Sequence, residues 1–291
     1  MSWVKEFKQI WLEELEKLPE DAMVSLSGGI ESSCIYYGLR ELGRKPVSLT
    51  FELEGTSSRD LEFTKKICTS WETELIHIKI PRLGYEELVE EIKSVLEDTQ
   101  MPRSIDTQVC LTYKYCFPEM AKYLTTGFYS GTMYAITAET FVKYGQFKKG
   151  LFSEDELEKF FHNERRLIFE GHSPGGRISN HVITERYFEK YGHICLSPIR
   201  CQRIYDFFSD LTFAEVFNTS SGRIQEKWFM IEMFQKEFDR IGNHKNMYNM
   251  HVESGFKKYF EDLLLEPFGC KNLTGVFPRI MKMGATLDDF F

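Results

Sequence analysis

The 291-residue sequence has no long hydrophobic run, no closely spaced cysteine pair and no excess of basic residues. Its apolar runs are far shorter than the roughly 18 residues that a membrane-spanning helix needs, so we expect no membrane span. The amphipathic N-terminal stretch MSWVKEFKQIWLEELEKL contains acidic residues and differs from a signal peptide. These features predict a cytoplasmic protein.

The seven cysteines lack the C-x-x-C spacing of a zinc or redox site. Cys110 and Cys116, like Cys195 and Cys201, are six positions apart, which suits metal ligands poorly. We therefore expect reduced thiols, most of them in the core.

Basic residues are outnumbered, with 36 Lys and Arg against 44 Asp and Glu, for a net charge of −8. This balance argues against a nucleic-acid partner, because binding to the phosphate backbone depends on a basic surface. Hydrophobic residues make up 42% of the chain and aromatic residues 15%, which is enough for a large globular core.

Strand and helix patterns alternate over the first eighty residues. We predict helices at 3–17, 31–42 and 57–71, and strands at 22–26, 45–53 and 73–80. This alternation is typical of an α/β fold with a doubly wound, mostly parallel, Rossmann-like sheet.

The remaining residues have a more helical pattern. We predict helices at 84–97, 106–124 and 153–169, strands at TGFYSG (126–131) and CLSPI (195–199), and a loop at GHSPGGR (171–177). The chain then divides into an α/β core, residues 1–150, and a mostly helical region, residues 151–291, packed on it.

The stretch VSLSGGIESS joins the first strand to the next helix. Gly28 and Gly29 let the backbone approach an anion closely, and nearby serines add hydroxyl donors. Glu31 would repel a bare phosphate, so its presence implies a bridging Mg²⁺. A plain strand-to-helix turn is the alternative, but the turn follows the first strand of a βαβαβ unit, where such sheets bind ligands. We therefore interpret it as a phosphate site.

This stretch resembles the S-G-G-x-D-S signature of the PP-loop ATP pyrophosphatases, which belong to the adenine-nucleotide α-hydrolase-like (HUP-type) group. The nearest branch is the synthetase domain of asparagine synthetase and β-lactam synthetase. The resemblance is clearest over residues 3–80 and weaker at 125–134 and 195–260. It implies ATP and Mg²⁺ as cofactors and transfer of AMP to a substrate oxygen with release of pyrophosphate. It also implies that residues 1–150 bind the nucleotide and that residues 151–291 complete the site for an acceptor substrate.

The resemblance also implies roles for individual residues. Glu31 falls on the family's acidic Mg²⁺ ligand, and Lys227 or Lys245 falls near its catalytic lysine. The implied ATP-binding residues are Ser25, Leu26, Ser27, Gly28, Gly29, Glu31, Ser32, Ser33, Phe51 and Gly131.

Two departures from the family qualify this expectation. The chain opens Met1-Ser2-Trp3 without the family's glutaminase domain, so an amine or ammonia would come from elsewhere. In addition, the family's G-x-G-x-D-E segment is replaced by SGTMYAITAE, with Ala135 and Ile136 at the acidic positions.

The leading hypothesis is an ATP-dependent, AMP-forming ligase that adenylates a carboxylate or amide-like oxygen, which a nucleophile then attacks. Its partners would be a small-molecule acceptor and an amine or ammonia donor, and an oligomer is compatible with the sequence. The alternatives are a non-catalytic module that binds ATP or AMP, and a PP-loop enzyme that modifies nucleobases or tRNA. A reductase with Cys270 as its reactive thiol is a further, weaker alternative.

Overall fold

The computed structural model describes seven stretches of the chain: residues 3–56, 58–101, 104–134, 138–173, 177–218, 227–242 and 255–283. Within them, no helix is both long enough and apolar enough to cross a membrane. All seven cysteines lie in these stretches as free thiols.

A five-stranded parallel sheet lies at the centre of the molecule. Its strands are β1 (Met23–Ser25), β2 (Ser48–Leu53), β3 (Leu75–Ile80), β4 (Tyr123–Thr125) and β7 (Ile194–Leu196). Their spatial order is β3-β2-β1-β4-β7, and every neighbouring pair is parallel. A separate two-stranded ribbon pairs β5 (His172–Ser173) with β6 (Arg177–Ile178). The predicted doubly wound α/β fold is confirmed.

Helices cover both faces of the sheet. In the first half they are α1 (Trp3–Glu16), α2 (Ile30–Glu41), α3 (Arg59–Ser70), α4 (Tyr85–Thr99), α5 (Ser104–Cys116), α6 (Gly131–Tyr134) and α7 (Ala138–Lys148). In the second half they are α8 (Glu154–Phe169), α9 (Asn180–Lys190), α10 (Gln202–Ser209), α11 (Phe213–Val216), α12 (Trp228–Met233), α13 (Gln235–Ile241), α14 (Phe256–Leu264) and α15 (Leu273–Met283).

Several predicted boundaries were wrong. The helix predicted over 106–124 ends at Cys116, because Pro118 cannot donate a backbone hydrogen bond within a helix. The strand predicted at 126–131 lies earlier, at Tyr123–Thr125, and TGFYSG contains the loop that follows it and the first residue of α6, Gly131. The strand predicted at 195–199 ends at Leu196, and the GHSPGGR segment contributes β5 and β6 rather than only a loop.

Two hydrophobic clusters flank the sheet. Met23 and Val24 are neighbours in β1 but belong to different clusters, because successive side chains of a strand point to opposite faces. The first cluster joins α1 and α2 to α10, α12 and α13, and the second joins β2, α4 and α5 to α14 and α15. Each cluster thus contains residues from both sides of position 150.

A candidate phosphate-binding cavity at the β1/β4 edge

The loops after β1 and β4 meet at the carboxyl edge of the sheet. The chain runs from β1 outward to β3 and then returns to β4 on the other side of β1, so strand order reverses between these neighbours. Ligands of doubly wound sheets bind at this reversal point. A cavity of about 230 Å³ lies here, lined by Ser25, Ser27, Gly29, Glu31, Ser32, Tyr113, Thr126, Gly127, Phe128 and Lys227.

The Ser-Gly-Gly turn is held in a conformation that only glycine fits easily. Gly28 has a φ of +75°, and a Cβ at this position would lie 2.5 Å from the carbonyl oxygen of Asp60. The amide of Gly29 donates to Ser27 Oγ at 3.2 Å, and the two hydroxyls of Ser27 and Ser32 lie 3.0 Å apart. Hydroxyls and the N-terminus of α2 therefore converge on one wall of the cavity, a favourable arrangement for an anion.

Glu31 and Lys227 form an ion pair inside this cavity. Lys227 Nζ lies 2.7 Å from Glu31 Oε1, and the side chains are 20% and 16% exposed. The hydroxyl of Tyr134 donates a short hydrogen bond to the same carboxylate oxygen. Burial raises the pKa of Glu31, but the charge and hydrogen bond of Lys227, with the hydroxyl of Tyr134, bring that pKa below its ordinary value. The carboxylate is therefore ionised and already partnered.

The backbone of Lys227 has an unusual conformation for a residue with a side chain. Its φ is 58° and its ψ is 11°, in the left-handed region, where it immediately precedes α12. Such a conformation costs on the order of 1 kcal/mol outside glycine. Its ammonium also lies 5.9 Å from the centre of the Tyr134 ring. The surrounding packing therefore holds this lysine against Glu31.

Several residues that line the cavity or contact Glu31 were not predicted from the sequence. Tyr113 of α5 forms the back wall, where its hydroxyl lies 2.7 Å from Ser25 Oγ. Gly127 lies beside the start of α2, and a Cβ there would be 2.9 Å from the Cβ of Glu31. Tyr134, at the end of α6, was missed because one tyrosine among fourteen has no distinguishing sequence context.

Five of the residues that the resemblance implied for ATP are not among those that line the cavity. Leu26 and Ser33 are fully buried, and Phe51 packs edge-on against Tyr113. Gly131 begins α6, and a Cβ there would lie 2.7 Å from the side chain of Ile168. Ser25, Ser27, Gly29, Glu31 and Ser32 do line it, and Gly28 shapes the turn between them.

Other predicted positions lie outside the described residues. These are Lys245, Ala135 and Ile136.

The residues of this cavity do not fit a Mg²⁺ ion held by protein side chains alone. Mg²⁺ is usually bound by one or two carboxylates together with substrate phosphates and water. Glu31 is the one carboxylate among the described lining residues, and its Oε1 is shared by Lys227 and Tyr134. Across the described stretches, no three His, Cys, Asp or Glu side chains are grouped to hold a metal.

Comparison with known proteins adds no relative. No protein-family model matches the chain, and no curated protein sequence shows significant similarity to it.

Proposed function

We propose that the chain binds ATP with its phosphates in this cavity and acts as an AMP-forming ligase of the asparagine synthetase type. The single observation that carries the proposal is the approach of Lys227 to Glu31 beside the Ser-Gly-Gly turn. This contact brings the ammonium of Lys227 next to the serine hydroxyls and the N-terminus of α2, at the point where the strand order of the sheet reverses. This combination suits a polyphosphate.

The proposed reaction has two steps. An oxygen of the acceptor's carboxylate or amide-like group attacks the α-phosphorus, and the bond from that phosphorus to the pyrophosphate oxygen breaks. Pyrophosphate leaves with the electron pair. An amine, ammonia or another nucleophile then attacks the activated carbon, AMP leaves with its electron pair, and the surplus proton of the nucleophile passes to solvent.

The residues of the cavity would act by positioning and by charge. The ammonium of Lys227 and the donors of the turn would meet the negative charge that grows on the departing pyrophosphate, which lowers the barrier. The acceptor would approach from the side of Lys227 and α12. Free thiols throughout the chain support a cytoplasmic setting for this small-molecule chemistry.

A second candidate is a module that binds ATP or AMP without turnover. One specific observation favours it. Glu31 is already neutralised by Lys227, and no second carboxylate lines the cavity among the described residues. Such a site would retain its affinity for phosphate without the acidic groups that an AMP-forming ligase would use.

The ligase would release AMP and pyrophosphate, whereas the binding module would release no product. We expect purified protein, given ATP, MgCl₂ and a panel of carboxylates and amines, to release AMP and pyrophosphate in equal amounts with one acceptor. Lys227→Met should remove this turnover, and Lys8→Gln should retain it, because the Lys8–Glu41 pair has the same 2.7 Å length but lies outside the cavity. ADP and phosphate as products would contradict the ligase. ATP binding without turnover would favour the binding module.

A further inference from the structure

The ion pair places a tethered cation where a metal ion would be expected. Glu31 Oε1 accepts from the ammonium of Lys227 at 2.7 Å and from the hydroxyl of Tyr134. A divalent ion at this oxygen would have to displace both donors. Displacing a buried partner leaves that ammonium without its counter-charge, which is costly.

The remaining wall of the cavity donates hydrogen bonds and carries little charge. Glu31 and Lys227 cancel each other, and the other lining side chains are hydroxyl-bearing, aromatic or absent. An ammonium has three N–H groups, and the contact with Glu31 uses one of them. Lys227 can therefore serve Glu31 and a phosphate oxygen together.

The elements around the pair hold it in place. Tyr134 is 4% exposed at the end of α6, and Arg165 donates to the neighbouring carbonyl of Met133 at 3.3 Å. Lys227 immediately precedes α12, whose Phe229 and Met230 are fully buried. The packing of α6 therefore fixes Tyr134, and the packing of α12 fixes Lys227, on either side of Glu31.

We propose that Glu31 is a positioning residue for Lys227 and not a metal ligand, and that the Lys227 ammonium takes the place of Mg²⁺, so that the cavity binds phosphate groups without a divalent ion. The phosphate class of the ligand rests on the proposed function. The metal independence rests on the ion pair.

Binding of inorganic pyrophosphate tests this proposal without relying on turnover. Titration calorimetry would compare excess EDTA with excess MgCl₂ for the wild-type chain, Glu31→Gln, Lys227→Met, Lys227→Arg and the control Lys8→Gln. We expect wild-type binding in EDTA to be at least as tight as in MgCl₂. Lys227→Met should weaken it about tenfold to a hundredfold, as expected for loss of a charge-assisted hydrogen bond. Lys227→Arg, which retains the charge, should keep binding in EDTA.

The response of Glu31→Gln separates the two roles of this carboxylate. A positioning residue changes pyrophosphate affinity by the same factor in EDTA and in MgCl₂. A metal ligand changes it only in MgCl₂. Wild-type binding that requires MgCl₂, with this requirement lost in Glu31→Gln, would overturn the metal independence and leave the proposed function standing. Absence of pyrophosphate and ATP binding in both buffers, with a folded wild-type chain, would overturn the proposed function itself.

Discussion

At the scale of single residues, Gly127 sets how closely the loop after β4 approaches α2. A Cβ at this position would lie 2.9 Å from the Cβ of Glu31 and 3.4 Å from the amide nitrogen of Ser32. Both neighbours belong to or adjoin the backbone of α2, so neither can rotate away. Close packing of this kind explains why the ion pair and the Ser-Gly-Gly turn share one wall.

We expect Gly127→Ala to destabilise the chain by about 1–3 kcal/mol, the usual cost of an extra methyl group in a packed site. It should also weaken pyrophosphate binding, since Glu31 would be pushed from Lys227. Gly145→Ala is the matched control, because nothing lies within 4 Å of its Cβ and it lies within α7. That change should stabilise the chain by up to about 1 kcal/mol. Urea unfolding measures both variants, and equal losses would contradict the packing argument.

The sequence identified one half of this site and could not identify the other. The local pattern VSLSGGIESS was enough to predict a turn with Glu31 at a helix N-terminus, since every residue involved is adjacent. Lys227 and Lys245 had equivalent local patterns, and only the packing of α12 distinguishes the first. The positions of Tyr134 and Gly127 depend on where β4 ends, and a strand of only three residues gives a weak sequence pattern.

At the scale of helices and strands, Arg165 connects three helices through one guanidinium. It is fully buried in α8 and donates to the carbonyl oxygens of Met133 in α6 and Phe208 in α10. Its guanidinium also lies 4.2 Å from the centre of the Phe161 ring. Both carbonyls belong to the last turn of their helices, where a cation is favourable. Arg165 therefore fixes the end of α6, from which Tyr134 contacts Glu31.

We expect Arg165→Met to lower the free energy of unfolding by about 3 kcal/mol, because two buried carbonyls lose a charged donor. The neighbouring Arg166→Met is the control. Arg166 is 49% exposed and pairs with Glu170 on the surface, so its loss should change stability by less than about 0.5 kcal/mol. Urea denaturation monitored by circular dichroism compares the two. Similar stability of both variants would show that the guanidinium does not join these helices.

Elements were predicted well where the pattern was long or capped. Ser58 caps α3 by accepting from the amide of Leu61, and Ser153 forms a capping box with Glu156 at the start of α8. The boundaries around β4 were predicted poorly. The predicted helix ran past Pro118, which ends it, and so included the first residues of β4. A strand of three residues has too little alternation to be told from a helix end.

At the scale of the whole molecule, helices from both halves of the chain pack together on each face of the sheet. The first hydrophobic cluster contains Phe7 of α1 and Phe229 of α12, and the second contains Val95 of α4 and Phe277 of α15. The division at position 150 that we predicted from pattern alone therefore crosses both clusters. A fragment that ended there would expose one side of each cluster to water.

Because both clusters pack on one shared sheet, we expect the whole chain to unfold in a single cooperative transition. Trp3, Trp11, Trp71 and Trp228 all lie in or against the first cluster, so tryptophan fluorescence reports on that side alone. Cys34 in the first cluster and Cys110 in the second are both fully buried. Pulsed thiol labelling across a urea series, read peptide by peptide by mass spectrometry, should give both cysteines the same midpoint as the fluorescence. Labelling of Cys110 at a clearly lower urea concentration than Cys34 would show that the second face unfolds independently of the first.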